Sequence, residues 1–243
     1  MKFLLSATLF ACSCFFGLVA HAEITIFSSD EFETGVEGWT KGTRASSPPA
    51  WLGTPGWNGE NGYLRSESDG AGNSGRQLLW TEDSEWTGNY LSPSNGPAVG
   101  GIEYWADNRS GSQTDLELRI AFDGAGGWFV SDAILLRDAD PNANEWTRHR
   151  FDFATSNFEW IGASGGTGVF TDTLSSVTRL ELLHSPGLPQ FQSRGDLLRG
   201  PAIASDLRLD GFRAFSAVPE PSAFGFGSLA LIGYCLRRRS RNA

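Results

Sequence analysis

Cysteine is scarce and confined to the ends: the 243 residues hold three, Cys12, Cys14 and Cys235, all within apolar terminal stretches. The body between them has no disulfide framework and must be held by an ordinary core. Lysine is nearly absent, and arginine and the acids are spread along the chain, which leaves no charged tail except one arginine cluster at the end. Histidine is limited to His21, His149 and His184, with no Gly-x-Ser-x-Gly elbow and no His-Glu-x-x-His pair, so the common hydrolase and zinc-protease signatures are excluded. Fixed-period repeats and useful lengths of helical periodicity are missing too, which removes solenoids and helix bundles.

What is present begins with an address. Met1 and Lys2 precede an apolar stretch from Phe3 to Val19 and the small-residue site Ala20-His21-Ala22, the pattern of a secretory leader cut after Ala22. At the other end the apolar run from Ala223 to Leu236 has 14 residues, short of the roughly 20 that cross a bilayer core unaided. It can be held transiently in the inner membrane, with Arg237, Arg238 and Arg239 kept on the cytoplasmic side. Pro219 and Pro221 keep the entry to that run extended around Glu220, where a processing enzyme can grip the backbone. The order Val218-Pro219-Glu220-Pro221-Ser222, Gly-rich apolar run, Arg237-Arg238-Arg239 resembles a PEP-CTERM sorting signal. The resemblance implies recognition by an exosortase-type membrane transpeptidase, cleavage near the Pro-Glu-Pro motif, and delivery to the cell surface or extracellular matrix. The chain thus divides into a leader (1–22), one domain (23–217) and a sorting signal (218–243).

Charge narrows the partners. The whole chain carries −9; without Lys2 and the four tail arginines, 14 basic residues face 28 acidic ones, a net charge near −14 for the exported part. Such a surface repels phosphate backbones, so nucleic acid is excluded as a partner, whereas divalent cations are natural ones.

The domain reads as strand nearly throughout, in short apolar, β-branched or aromatic runs bounded by Gly, Pro, Asn, Asp and Ser. Expected strands are Ile24–Phe27, Gly62–Arg65, Gln77–Trp80, Gly101–Trp105, Asp115–Phe122, Trp128–Leu136, Trp146–Phe153, Val177–Leu183 and Leu207–Phe215. Within Asp115–Phe122 the alternation points Leu116, Leu118, Ile120 and Phe122 inward and Glu117, Arg119 and Ala121 outward. Asp123–Gly127 fits a hairpin turn into the next strand. About nine short strands in one domain need two facing sheets, so the expected fold is all-β, an antiparallel jelly-roll β-sandwich. Trp39, Trp80, Trp105, Trp128 and Trp146, on or beside strands, are expected in the core.

The opening Phe32-Glu33-Thr34-Gly35-Val36-Glu37-Gly38-Trp39 and closing Leu207-Arg208-Leu209-Asp210-Gly211-Phe212 resemble the first and last strands of carbohydrate-binding jelly rolls and laminin-type modules. The resemblance implies a structural calcium where the end strands meet, with Asp30, Glu31 or Glu33 and Asp210 as its oxygen ligands. Asp138–Glu145 also alternates oxygens but lacks the loop glycine and final acid of a calcium loop, and reads as a turn. Trp51 and Trp57 lie in a Pro- and Gly-rich loop, and Trp86 lies beside Glu82, Asp83 and Glu85. Rings exposed beside polar acceptors stack on sugar faces, so these three are the candidate ligand contacts. The leading expectation is non-catalytic binding of extracellular polysaccharide. The alternatives are a self-associating matrix protein and a polysaccharide-active hydrolase using loop acids such as Glu82 and Glu85.

Overall fold

Period-two alternation with turn residues between runs produces strands almost everywhere it was expected, and several more. The computed structural model describes residues 24, 28–42, 48–59, 62–72, 75–91, 99–111, 114–139, 145–154, 156–162, 166–191 and 197–216. The expected leader, the sorting signal, positions 25–27 of the expected first strand and positions 140–144 of the Asp138–Glu145 turn lie outside these residues. In chain order the strands are β1 (Ser29–Asp30), β2 (Thr40–Lys41), β3 (Ala50–Leu52), β4 (Tyr63–Asp69), β5 (Leu78–Thr81), β6 (Val99–Asn108) and β7 (Leu116–Asp123). They continue with β8 (Trp128–Ser131), β9 (Ile134–Leu136), β10 (Thr147–Asp152), β11 (Phe158–Gly162), β12 (Arg179–His184) and β13 (Ala204–Ser216), with a short helix, α1 (Phe170–Leu174), before β12. The additional strands are short pieces whose patterns are too brief to show a period. The expected run Trp128–Leu136 divides into β8 and β9, which pair with successive parts of β7.

The strands form two antiparallel sheets. One runs β10-β6-β13-β4-β3 with β1 on β13; the other runs β11-β8-β7-β12-β5-β2 with β9 on β7. If β4, β5, β6, β7, β8, β10, β12 and β13 are numbered one to eight, the sheets read 1-8-3-6 and 2-7-4-5, the jelly-roll order. Among the described residues no helix is long and apolar enough to cross a membrane.

The core lies between the sheets. Leu116, Leu118, Ile120 and Phe122 enter it from β7, as the alternation predicts, opposite Ile102, Tyr104 and Ala106 of β6 and Leu207, Leu209, Phe212 and Ala214 of β13. Each leucine, isoleucine and phenylalanine among them contributes about 1.5–3 kcal/mol on burial. A second apolar layer covers the outside of the seven-stranded sheet. There Leu78, Ala121, Trp128, Val130 and Leu183 pack beneath Leu197 and Leu198, with Phe191 against them, all three from the β12–β13 connection. Ala121 therefore points outward as expected yet is fully buried. The same connection covers Glu181, whose carboxylate accepts the Leu198 N–H. Burial pushes this carboxyl well above its ordinary range.

Candidate functional site

Among the described residues no comparable apolar layer covers the outer face of the six-stranded sheet. Alternation along β6 sends Ile102, Tyr104 and Ala106 inward, so Glu103, Trp105 and Asp107 face out. Cross-strand register then assembles rows. Trp105 stands between Asp210 of β13 and Arg148 of β10. Leu64 pairs with Leu209, which places Tyr63 beside Asp210 in that same row. On one side, Glu103 lies between Arg213 and Arg150. On the other, Arg208 lies between Arg65 and Asp107.

The β3–β4 loop folds back over this face. Trp57 stacks on Trp105 with ring centroids 4.4 Å apart and planes within 6°. Its backbone N–H donates to Asp210 Oδ2 at 3.0 Å, and the Gly211 N–H donates to Oδ1 at 2.7 Å. Two glycines allow this approach. A Cβ at Gly56 would lie 1.9 Å from Asp210 Oδ2, and Gly211, at φ +54°, makes the bulge where β13 slips register against β6. Burial raises the Asp210 carboxyl to about 6 against the pull of those two N–H groups. Tyr63 meets Trp146 edge-on at 5.6 Å and underlies the Arg208 guanidinium at 5.3 Å. Asp107 accepts from Arg109 with Oδ2, and Arg65 forms a two-pronged pair with Asp206. Three buried polar atoms here have no hydrogen-bond partner among the described residues: Trp57 Nε1, Arg208 Nε and Asp107 Oδ1.

The three expected ligand tryptophans occupy three different surroundings. Trp57 is on the outer face of the six-stranded sheet. Trp51 pairs with Leu64, a core-facing residue, so its ring turns to the sandwich edge, where it is 40% exposed and donates to the Phe32 carbonyl at 2.7 Å. Trp86 corrects the sequence expectation. It is fully buried, edge-on to Phe212 at 5.0 Å, and its indole N–H donates to Asp30 Oδ2 at 2.6 Å. The acids around it in sequence belong to its turn, while the apolar demand of Phe212 draws the ring inside. Conversely, Trp105 and Trp146, expected in the core, are half-buried on the outer face. The alternation of β6 carried that signal for Trp105, because Tyr104 and Trp105 cannot both point inward.

The end strands do lie side by side, β1 antiparallel on β13, yet the expected calcium set is divided by the sheet. Asp30 pairs with core-facing Phe212, whereas Asp210 pairs with outward Trp105. Asp30 Oδ2 accepts the indole N–H groups of Trp39 at 2.5 Å and Trp86 at 2.6 Å, and burial raises this carboxyl to about 7. A carboxyl aimed at two indole donors is not offered to a hard cation. Glu31 is half-buried and Glu33 exposed, and among the described residues no three His, Cys, Asp or Glu groups come together to hold a metal. These residues do not fit the calcium site that the resemblance implies. Of the loop acids, Glu82 pairs with Arg179, and Glu85 accepts the Ser29 N–H at 3.4 Å.

Residues 217–239 match the PEP-CTERM protein-sorting motif. No curated protein matches the chain. Among solved structures, a family 11 carbohydrate-binding module from Clostridium thermocellum in complex with a β-1,3-1,4-mixed-linked tetrasaccharide is 10% identical. The match covers 79% of this chain and 95% of that one, with a TM-score of 0.46. The family 11 module of the cellulosomal cellulase Lic26A-Cel5E of Clostridium thermocellum is 11% identical, with the same coverage and a TM-score of 0.47. An exo-β-agarase is 11% identical over 80% of this chain and 25% of that one, with a TM-score of 0.44. The chain is thus an exported protein bearing a C-terminal PEP-CTERM sorting motif for the cell surface, on a body folded as a jelly-roll β-sandwich.

Proposed function

We propose that this protein binds extracellular polysaccharide without catalysis, and that the sugar chain lies on the outer face of the six-stranded sheet against Trp57 and Trp105. The observation that carries this reading is the stacked, half-buried indole pair on the outer face of the six-stranded sheet. A flat apolar surface bordered by donors and acceptors is what a pyranose ring requires, since its faces carry C–H groups and its edges hydroxyls. Trp51, on the sandwich edge, is a separate contact. Processing by an exosortase-type enzyme at Pro219-Glu220-Pro221 delivers the domain to the surface or matrix where such chains are found.

Glycan-array binding with Trp57→Ala, Trp105→Ala and Trp51→Ala variants tests the reading. Loss of binding in the first two supports the face. Binding that survives both, or depends on Trp51 alone, moves the site to the sandwich edge.

A further inference from the structure

Six arginines of a strongly acidic chain, Arg65, Arg109, Arg148, Arg150, Arg208 and Arg213, collect on or beside this one outer face, out of 14 basic residues in the exported part. Arg65 and Arg109 are matched by Asp206 and Asp107, and Arg208 lies 3.9 Å from Asp206. The cluster at the β10 side differs. Glu103, buried at the centre, accepts from Arg148 through Oε2 and from Arg213 Nε through Oε1 at 2.5 Å. Both arginine side chains remain about half exposed, at 48% and 46%. Arg150, 41% exposed, stands in register with Glu103, lies 3.6 Å over the Phe215 ring, and shares Asp152 at 3.2 Å.

We infer that Arg148, Arg150 and Arg213 form an anion-binding end of the face, and that the polysaccharide bound there carries carboxylate or sulfate groups. This rests on the face being the glycan-binding surface. One arginine in a two-pronged pair satisfies a buried carboxylate, so neutralising Glu103 does not account for two, and the third has a carboxylate of its own. Three guanidiniums against two carboxylates leave one positive charge in excess. The Glu103 oxygens fix two of these groups in place while their side chains stay about half exposed. The net negative charge of the chain does not cancel this, since screening limits exposed charges to about 8 Å at physiological ionic strength. Arg148 is the cross-strand neighbour of Trp105, about 5 Å away at strand spacing, so a sugar stacked on the indoles brings its substituents to the cluster.

The test is affinity electrophoresis of the full chain in gels containing alginate (carboxylate), carrageenan (sulfate) or hydroxyethyl cellulose (neutral). The expected result is retardation by alginate or carrageenan that weakens with added salt. Loss of one charge-assisted hydrogen bond in Arg150→Gln or Arg213→Gln weakens it about tenfold or more. Arg150→Gln leaves both Glu103 partners intact, and an unchanged melting temperature separates lost binding from loss of the Phe215 and Asp152 contacts. Retardation by hydroxyethyl cellulose alone, or by any gel without sensitivity to these arginines, overturns the anion site. If Trp105→Ala abolishes that neutral binding, the face reading survives. If the arginine variants lose alginate binding while Trp57→Ala and Trp105→Ala retain it, the anion site stands and the indole platform falls. Retardation by none of the three overturns both.

Discussion

Replacing Asp30 by alanine leaves two indole N–H groups, those of Trp39 and Trp86, inside the core without their acceptor. Each buried donor left unsatisfied costs about 1–3 kcal/mol, so Asp30→Ala lowers stability by about 2–6 kcal/mol. Both rings stand edge-on to Phe212, at 4.8 and 5.0 Å, so their displacement also loosens the centre of β13. Asp30→Asn keeps a carbonyl acceptor and separates the hydrogen bonds from the charge. The carboxyl is held at about 7 in the folded protein, against 3.8 ordinarily, by burial. The folded state therefore binds the proton more tightly, and stability from this group grows as pH falls through 7 and is complete below 3.8. Between about pH 8 and about pH 5 the gain is about 2–3 kcal/mol, and it vanishes in Asp30→Asn. Urea unfolding followed by tryptophan fluorescence at both pH values measures each term, and the difference between wild type and Asp30→Asn cancels every other titrating group. A cost below about 1 kcal/mol for Asp30→Ala, or equal losses for alanine and asparagine at both pH values, would refute the idea that this carboxyl pins the two rings.

Other consequences are directly measurable. His149 is buried and its imidazole is depressed to about 4 because burial disfavours the charged ring; the unfolded chain takes the proton near 6.5, so stability present above 6.5 is lost as pH falls toward 4, by about 3 kcal/mol. His149→Phe removes that acid loss in denaturant titrations, and an unchanged pH profile would contradict it. Gly56→Ala drives a methyl into Asp210 and lifts Trp57 from Trp105, which lowers stability by about 1–3 kcal/mol and weakens glycan binding; a variant indistinguishable in melting and binding would show the loop is not seated there. Because Asp30 and Asp210 occupy opposite faces of the sheet, adding calcium and then chelator leaves the melting temperature unchanged. A calcium-dependent rise lost in Asp210→Ala would put a cation at the outer-face carboxyls.

The sequence alone determined the sorting motif and the sandwich. These depend on local order: a short apolar run closed by arginines, or an alternation such as Leu116, Leu118, Ile120 and Phe122 whose period does not change on folding. It also indicated that the first and last strands would meet. Which side of a strand each functional residue takes was decided by tertiary structure. Asp30 and Asp210 were brought to adjoining strands but to opposite faces, because side chains alternate with every residue and the Gly211 bulge resets the register beside Asp210. Trp86 looked exposed among its acids and was drawn inside by Phe212. Trp105 looked like core and was turned out by Tyr104. The arginine cluster was illegible along the chain, since Glu103, Arg148, Arg150 and Arg213 are neighbours only through the pairing of β10, β6 and β13. Composition counts charges, but strand pairing alone decides which of them share a face.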